Sequence, residues 1–416
     1  MPMNKARDVA YQILKDVILS SKYVNIALKE HVLEGSEGNL VTQIVYGTLQ
    51  HERYLAYQWE DLVVKQPKPS IGILLNMAMY QHVFLSKIPD YAIIKETVDL
   101  AKKAEKGQYA NFVNAILRKL FARPLRPVVF QQKHMSLAVE TSHPDWLTHM
   151  LIKQYGYDLA SKILHINNQP PKLYGREQKT STSQAQVSEL WAKEVDLYPD
   201  SLLLKKDVLS SQAFKEGKII IQDLHSQQVA VFMDPQPNDC VLDMCSAPGT
   251  KTMHIADLMN NQGEIVAVDL HAHRIELVNQ LAAKTQVNIV KTLVADATLL
   301  NQLVEPDSFD AILLDAPCSG IGVFRRKPDK KRTISPNDLD ELQKIQRQLL
   351  SSAATLVRKG KSITYVTCTI NRKENEKQVE WFLHQFPDFE CVDSRLLLPT
   401  EDDADGFYMA KLRKKT

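Results

Sequence analysis

Residues 240–252 read Cys-Val-Leu-Asp-Met-Cys-Ser-Ala-Pro-Gly-Thr-Lys-Thr. The run begins as a short apolar strand, and a helix is predicted from Thr250 onward. Open α/β sheets bind nucleotide-like ligands at such turns, beyond the carboxyl ends of their strands. The segment is neither a dinucleotide-binding glycine motif nor a P-loop, because Gly249 is its single glycine and Lys251 is wrongly spaced. Taken alone, the same residues fit a plain turn capped by Thr250 equally well.

Around this segment, the chain from about residue 216 alternates short apolar strands with helices. Strands are predicted at residues 219–221, 240–242, 265–268, 289–294, 311–314 and 363–366. Helices are predicted at residues 250–259, 273–284, 339–357 and 374–386. Alternation of this kind implies right-handed crossovers and a doubly wound, mostly parallel sheet, so the fold class of this region is α/β and Rossmann-like.

The first third of the chain has a different pattern. Apolar residues recur at helical spacing from Ala6 to Val17 and again at 71–85, 93–101 and 112–120, which predicts a small all-α bundle. The stretch after it is mixed and contains a turn signal at residues 167–171. We therefore predict three domains: a helical domain at 1–130, a connecting subdomain at 131–215 and an α/β domain at 216–416.

Composition excludes several classes of protein. The 416 residues are 44% hydrophobic and 24% charged, which is typical of a globular chain and not of a disordered one. We see no signal peptide and no apolar run long enough to cross a bilayer, so we expect a cytoplasmic protein without a membrane partner. The five cysteines form no Cys-x-x-Cys pair, which argues against a disulfide framework and against a metal site. With a net charge of +2, binding of a polyanion must depend on local patches.

Three successive predicted strands end at or near an aspartate, namely Asp269, Asp296 and Asp315. An acid about 20 residues after the glycine turn is placed to accept hydrogen bonds from a ribose diol. Acids without a phosphate-cradling loop suit a cofactor with a ribose, an amine and a cationic centre, and S-adenosylmethionine is such a cofactor. Taken alone, each acid could be a solvated strand end or a helix N-cap, above all Asp296, but the occurrence of all three together favours a site.

Two cysteines, Cys318 and Cys368, follow predicted buried strands and are expected to face one crevice. Cytosine and uracil are poor nucleophiles at C5, but a thiolate adding at C6 turns C5 into an enamine carbon that attacks an electrophilic methyl group. The reaction also needs an acid or hydrogen-bond donor at N3 and help in the final elimination. Cys368 can supply the attacking thiolate, and Asp315 and Cys318 can supply the other two roles.

The remaining cysteines and a basic run have simpler interpretations. Cys240 and Cys391 are expected to pack in the interior, as free cysteines commonly do, while the backbone of Cys245 is expected to line the cofactor. Residues 325–332 carry six basic side chains directly after the Cys318 loop, and we expect them to contact phosphates of a polyanion. Phe324 can stack on a base or fill the core, and we favour the core.

These motifs resemble a known family. Residues 243–252, 315–322, 365–369 with Glu374-Asn375, and 405–410 resemble, in the same order, the bacterial small-subunit ribosomal RNA cytosine-5 methyltransferases of the Sun type, also called methyltransferase B. Residues 91–98 and 112–118 resemble the NusB-type RNA-binding domain that marks this type. The resemblance covers nearly the whole chain and implies a class I S-adenosylmethionine methyltransferase domain preceded by a NusB-like domain.

The resemblance also implies residue roles. Cys368 is the nucleophile, Cys318 assists elimination and product release, and Asp315 lies near the target ring. The expected cofactor-binding residues are Cys245, Ser246, Ala247, Pro248, Gly249, Thr250, Lys251, Asp269, Asp296 and Asp315. The expected substrate is 16S ribosomal RNA, and the protein is expected to be a monomer.

Two alternatives stay open at this point. A DNA cytosine-5 methyltransferase would use the cysteine after proline, Cys318, as its nucleophile, and the helical RNA-binding-like domain argues against it. A non-catalytic RNA-binding or antitermination factor would have no use for both thiols and three strand-end acids.

Overall fold

The computed structural model describes residues 5–31, 35–181, 191–195 and 200–416. The chain divides into two compact units. The helical unit comprises Met1–Pro170 and Phe324–Thr333, and the sheet unit comprises Pro171–Val323 and Ile334–Thr416. Residues 182–190 and 196–199, which belong to the predicted connecting subdomain, lie outside the described residues.

The helices and strands have the following bounds. In chain order, the helices are α1 Lys5–Leu19, α2 Val24–Glu30, α3 Gly35–Gln50, α4 Glu52–Trp59, α5 Pro69–Phe84, α6 Asp90–Lys103, α7 Ala110–Phe121, α8 Lys133–Glu140, α9 Asp145–Tyr155, α10 Tyr157–Ile166, α11 Gln212–Lys215, α12 Leu224–Met233, α13 Thr250–Leu258, α14 Ala272–Thr285, α15 Lys330–Thr333, α16 Pro336–Leu356, α17 Glu376–Gln385 and α18 Pro399–Asp402. The strands are β1 Tyr174–Glu177, β2 Trp191–Glu194, β3 Ser201–Leu204, β4 Ile219–Ile221, β5 Cys240–Asp243, β6 Glu264–Asp269, β7 Val290–Val294, β8 Phe309–Asp315, β9 Val357–Thr367, β10 Phe389–Leu397 and β11 Phe407–Lys414.

The helical unit is built around α5. This helix begins at Pro69, which suits the first turn of a helix because its missing N–H has no intrahelical partner there. Its side chains from Ile73 to Gln81 are buried all round, as expected of a central helix. Helix α1 packs the predicted apolar stripe from Ala6 to Val17 into the same core.

The large sheet of the sheet unit has the strand order β10-β11-β9-β8-β5-β6-β7. Strands β9, β8, β5, β6 and β7 run parallel. At one edge, β11 pairs antiparallel to β9, and β10 pairs antiparallel to β11. The predicted parallel core is therefore confirmed, and the antiparallel edge was not predicted. Both faces of the sheet are buried, because Val241 and Leu313 face one apolar cluster while Leu242 and Leu314 face another.

A second, four-stranded antiparallel sheet has the order β2-β3-β1-β4. The strand predicted at residues 219–221 is present as β4, but it pairs with β1 and not with the parallel sheet. Placing it in the α/β pattern was wrong, since an isolated apolar triplet carries no information about its partner strand.

The N-terminus of α16 shows how local sequence sets an element near the site. Ser335 accepts a hydrogen bond from the backbone N–H of Asp338, and the Asp338 side chain accepts from the Ser335 backbone N–H, which forms a capping box. Pro336 occupies the first turn, as the sequence predicts. Within the described residues, no helix is both long and apolar enough to cross a membrane.

Candidate active site

The candidate site lies at the carboxyl edge of the parallel sheet. Asp243, Asp269 and Asp315 are the last residues of β5, β6 and β8, and Cys368 directly follows β9. Since these four strands are neighbours and parallel, their carboxyl ends meet at one edge. The fold thus brings the predicted acids of β6 and β8 and both predicted thiols to a single crevice.

The two predicted thiols are in contact. Cys318 Sγ lies 3.2 Å from Cys368 Sγ, and both side chains are partly buried. The loop after β8 is fastened to the end of β9, because the N–H of Ala316 donates to the carbonyl of Val366 (2.8 Å) and the N–H of Gly322 donates to the carbonyl of Cys368 (3.1 Å). The distance between the two sulfurs is therefore set by the strands β8 and β9 and by the loop hydrogen bonds that join them.

Lys251 and Asp315 form an ion pair beside the thiols. Lys251 Nζ donates to Asp315 Oδ2 at 2.7 Å, and the ammonium lies 5.4 Å from the centre of the Phe407 ring. Burial alone would lower the pKa of Lys251, but the charge and hydrogen bond of Asp315 and the nearby Cys368 raise it above its ordinary value. Lys251 is consequently a fixed cation within electrostatic reach of Cys368.

Asp243, at the end of β5, is a buried acid, and only one of its two carboxylate oxygens is hydrogen-bonded among the described residues. Its Oδ2 accepts a hydrogen bond from the Thr252 hydroxyl at 2.7 Å, whereas Oδ1 has no hydrogen-bond partner among the described residues. Burial raises the pKa of Asp243 to about 7, against the opposing Thr252 hydrogen bond. A buried carboxylate oxygen without a donor marks a place where a ligand can supply one.

The loop that follows β5 fits the predicted cofactor. Gly249 has φ of +100°, and a Cβ there would lie 3.3 Å from Cα of Val278, so the backbone packs where a side chain would not fit. Asp269 is 3% exposed, receives two hydrogen bonds of 3.4 Å from backbone N–H groups, and forms an ion pair with Arg274 at 3.3 Å. A buried carboxylate beside a close-packed turn suits a ligand with a ribose diol and a cationic centre.

The structure treats two other predicted cofactor residues differently. Asp296 is exposed, and its Oδ1 accepts from the backbone N–H and the hydroxyl of Thr298, so it caps the 3₁₀-helix Ala297–Gln302. This is the N-cap role that the sequence left open. Burial and the nearby acids, chiefly Asp243, raise the pKa of the Cys245 thiol far above its ordinary value, which suits a residue whose side chain does no chemistry.

Of the other cysteines, Cys391 departs from the prediction. It was expected in the interior, but it is exposed on β10, the edge strand of the large sheet. That expectation was wrong because β10 was not recognised as an edge strand. Cys240 is partly buried at the start of β5.

The basic run at 325–332 is only partly available to a polyanion. Arg325 is 1% exposed and donates to the carbonyl of Pro170 at 2.9 Å. Lys331 is 3% exposed, and its Nζ donates to the carbonyl of Gln50 at 2.8 Å and to Asn168 Oδ1 at 2.7 Å. The expectation that these two cations face RNA phosphates is therefore wrong.

Other contacts also attach this segment to the helical unit. Arg332 forms an ion pair with Glu52 (2.5 Å) of α4, and Phe324 is fully buried, as predicted. Lys327 is exposed. Burial of a basic residue inside a protein serves structure first, and the sequence alone does not distinguish it from a solvated charge.

Comparison with known proteins assigns the family. The model of the 16S rRNA methyltransferase RsmB/F family matches residues 230–413, the NusB family model matches 4–122, and a ferredoxin-like domain model of RsmF/B-like methyltransferases matches 143–208. The probable ribosomal RNA small subunit methyltransferase B of Bacillus subtilis (strain 168) is 36% identical over 100% of this chain and 100% of its own length. This chain belongs to the ribosomal RNA small subunit methyltransferase B family.

Other relatives agree with this family assignment. The probable methyltransferase B of Synechocystis sp. (strain ATCC 27184 / PCC 6803 / Kazusa) is 32% identical over 99% of this chain and 100% of its own. The crystal structure of PH0851 has a TM-score of 0.84 at 26% identity and covers 100% of this chain and 99% of that one. The resemblance inferred from the motifs is confirmed, as are the NusB-like and Rossmann-like folds, and the protein is an S-adenosylmethionine-dependent methyltransferase of this rRNA-modifying family.

Sequence reasoning missed three roles around the thiols. It gave Lys251 to the cofactor, yet the side chain pairs with Asp315 next to Cys368. It quoted Asp243 and Glu374 only as parts of motifs, although both are buried acids at the crevice or its supporting loops. The signal was the position of Asp243 as the last residue of a buried strand, where a carboxylate needs a reason to be present.

Proposed function

We propose that this protein transfers a methyl group from S-adenosylmethionine to C5 of a cytidine in 16S ribosomal RNA through a covalent adduct between Cys368 and C6. The observation that carries the proposal is the contact between the Cys318 and Cys368 sulfurs, 3.2 Å, beside the Lys251–Asp315 ion pair. A nucleophile, a second group for the elimination and a charged pair for ring recognition then share one crevice.

Cys368 starts the reaction in this scheme. A cation beside a thiol favours the thiolate, which is the reactive form, and Lys251 is a cation within electrostatic reach of Cys368. The Cys368 sulfur forms a bond to C6, and the electron pair displaced from the C5–C6 double bond makes C5 the carbon nucleophile. S-adenosylmethionine, held by residues 245–251 and Asp269, supplies the electrophilic methyl group.

The Lys251–Asp315 pair is proposed to read the ring. The Watson–Crick edge of cytosine presents acceptors at N3 and O2 and a donor at the N4 amino group. Lys251 has donors for the acceptors, and Asp315 has lone pairs for the amino group. The hydrogen-bond donor at N3 is then Lys251 and not Asp315, to which the sequence assigned that role.

Cys318 completes the cycle. After methylation C5 carries one proton too many, and a thiolate within 3.2 Å of the Cys368 sulfur is placed to remove it. The electron pair of the C5–H bond restores the C5–C6 double bond, and the Cys368 sulfur leaves as a thiolate. We keep the domains proposed from the sequence, 1–130, 131–215 and 216–416. The first two are proposed to bind the RNA.

Two single substitutions test these roles. We expect Cys318→Ala to accumulate a covalent RNA adduct in the presence of S-adenosylmethionine and 16S RNA, because release is blocked after attack. We expect Cys368→Ala to form no adduct and no 5-methylcytidine. Adducts are measured as a mobility shift on denaturing gels, and methylation by mass spectrometry of RNA digests.

The matched control is Cys391→Ala, because that thiol is exposed and lies on the edge strand β10. It should behave as wild type. The reverse pattern, with an adduct only in Cys368→Ala, would exchange the two roles and favour the DNA-type mechanism. A wild-type protein that binds RNA but transfers no methyl group to cytidine would overturn the proposed function.

A further inference from the structure

Glu374 is a fully buried acid between the loops that carry the two thiols. Its side chain has no exposed surface. Oε1 accepts hydrogen bonds from the Ser319 backbone N–H (2.8 Å) and from Gln346 Nε2 (3.2 Å). Oε2 accepts from the Ser319 hydroxyl (2.6 Å) and from Asn371 Nδ2 (3.1 Å). The carboxylate thus receives four donors, which fills the roughly four lone-pair sites of its two oxygens.

These donors belong to both thiol-bearing loops. Ser319 directly follows Cys318, and its hydroxyl also lies 2.9 Å from the hydroxyl of Thr369, which directly follows Cys368. Gln346 bridges from Glu374 to the carbonyl of Pro317, at 3.0 Å, on the other side of Cys318. Glu374 therefore bonds directly to the residue after Cys318 and reaches the residue after Cys368 through the Ser319 hydroxyl.

The neighbouring residue, Asn375, adds hydrogen bonds around Cys368. Its Oδ1 accepts from the hydroxyl of Thr367 at 2.6 Å, and its Nδ2 donates to the carbonyl of Thr369 at 2.9 Å. Cys368 lies between those two threonines. The hydroxyl of Tyr365 donates to the carbonyl of Glu374 at 2.7 Å and ties the pair to β9.

We propose that Glu374 is a positioning residue that sets the distance between the Cys318 and Cys368 sulfurs. The catalytic meaning of this distance rests on the proposed function, whereas the distance itself does not. Reacting groups held by a buried, fully hydrogen-bonded support keep their geometry without reorganisation, and a displacement of about 1 Å can cost on the order of 100-fold in rate.

This role depends on both side-chain oxygens of Glu374 being hydrogen-bond acceptors, because an amide cannot replace the carboxylate. In Glu374→Gln an NH₂ group at the Oε1 position would face the Ser319 backbone N–H, which has no alternative orientation. At the Oε2 position it would face the amide of Asn371, whose orientation is fixed because its Oδ1 accepts from the Lys373 backbone N–H at 3.2 Å. Either way two donors oppose each other and the loops must separate.

Thiol oxidation measures the distance without RNA or cofactor. Diamide removes two electrons and two protons from a pair of thiols and is reduced to the hydrazine, so the sulfurs must close from 3.2 Å to about 2 Å. We expect wild type to form the Cys318–Cys368 disulfide rapidly, and Glu374→Gln to form it at least about 10-fold more slowly. Peptide mapping identifies the bond among the five cysteines.

Methyl transfer measures the consequence. For Glu374→Gln we expect kcat to fall on the order of 100-fold, while the Kd for S-adenosylmethionine changes less than about two-fold. The control is Glu380→Gln on α17, the helix that follows Glu374, since Glu380 is 61% exposed and pairs with Lys377. It should match wild type in both measurements. A purely structural role of Glu374 would lower Tm and weaken cofactor binding together.

The outcomes separate the two proposals. If Glu374→Gln matches wild type in both disulfide rate and kcat, the positioning role is overturned. If wild type methylates no cytidine, the proposed function fails, and the disulfide rates still decide the role of Glu374. If Glu374→Gln does not fold, Ser319→Ala replaces it, because it removes one of the four hydrogen bonds and keeps the backbone one. Slower disulfide formation in Ser319→Ala supports the proposal, and an unchanged rate overturns it.

Discussion

The two sides of the crevice differ in how completely their polar groups are paired. On the thiol side, the carboxylate of Glu374 receives four hydrogen bonds, and Asn375 is bonded through both atoms of its amide. On the cofactor side, Asp243 Oδ1 has no partner among the described residues, and Asp269 receives two backbone hydrogen bonds of 3.4 Å beside an ion pair of 3.3 Å with Arg274. The side chains of Glu374 and Asn375 are therefore paired in the protein alone, although Gln346 Oε1 beside them has no hydrogen-bond partner among the described residues. On the cofactor side, the Asp243 carboxylate has hydrogen-bonding capacity left for a ligand.

This difference fits the chemistry proposed for each side. A covalent step needs sulfur atoms that are already in place, because any reorganisation adds to the barrier. A cofactor that must enter and leave in every cycle needs groups that pair with it and are not locked to each other. Lys251 and Asp315 lie between the thiols and the cofactor loop, and they are proposed to serve both sides of the crevice.

Among the substitutions that compare the two sides of the crevice, the largest effect is expected for Lys251→Met. This variant removes the cation beside Cys368 and leaves Asp315 without its ion pair, while the length of the side chain is nearly kept. We expect kcat to fall by about 10² to 10³ at saturating cofactor, as is typical when one preorganised charge is removed from an active site. Single-turnover methylation assays measure it.

Lys291→Met is the matched control, because Lys291 is 71% exposed and pairs with Glu264 away from the thiols. Its activity should stay within about two-fold of wild type, as expected for an exposed ion pair. If Lys251→Met retained wild-type kcat but lost cofactor affinity, Lys251 would belong to the cofactor side alone, as the sequence first indicated.

A smaller, pH-dependent effect is expected for Asp243→Asn. Burial raises the pKa of Asp243 from its ordinary 3.8 to about 7 in the folded protein. Between these pH values the folded chain keeps a proton that the unfolded chain has lost, so stability falls as pH rises through this window and levels off above about 7. The full difference is roughly 4 kcal/mol as an order of magnitude.

Asp243→Asn lacks this titration, so its free energy of unfolding should depend less on pH between 4 and 7 than that of wild type. Denaturant unfolding at several pH values measures the difference. The variant should also bind S-adenosylmethionine on the order of 10-fold more weakly at pH 8, because an amide presents less negative charge to a cationic ligand. Parallel stability curves for the two proteins would show that the carboxyl group of Asp243 does not titrate in this range.

Much of this crevice is predictable from the sequence, for identifiable reasons. Strand-end positions follow from apolar runs, so the convergence of Asp269, Asp315, Cys318 and Cys368 was expected from their places after predicted strands. The pairing of Lys251 with Asp315 was not, since it depends on how far a helix side chain reaches across to the next strand end. Glu374 was missed because its partners lie in three separate segments of the chain.

The basic segment shows the same limit from the other direction. Six basic residues in eight positions predict a phosphate-binding surface, but the structure buries Arg325 and Lys331 among backbone carbonyls of the helical unit. Burial lowers the pKa of Lys331 to about 7, despite the opposing charge of Glu52. Charge density in a sequence does not say which side chains are used to hold the segment itself.

The smallest effect is expected outside both sides of the crevice, for Lys327→Ala in this segment. Lys327 is exposed, unlike Arg325, so its loss should remove about one phosphate contact without unfolding the helical unit. The slope of log Kobs against log salt should then decrease in magnitude by roughly 0.7 to 0.9, with affinity falling only a few-fold. Cofactor binding and the rate of thiol oxidation should not change, because neither side of the crevice is touched.

Lys359→Ala is the control for this measurement, since Lys359 is an exposed lysine of β9 next to the bend at Gly360. It should leave the salt dependence of RNA binding as in wild type. An identical slope for Lys327→Ala and wild type would mean that Lys327 contacts no phosphate. Since Arg325 and Lys331 are buried and Arg332 is paired, RNA contacts would then have to be sought at the half-buried Arg326 and Lys330, on the N-terminal helices or on the small antiparallel sheet.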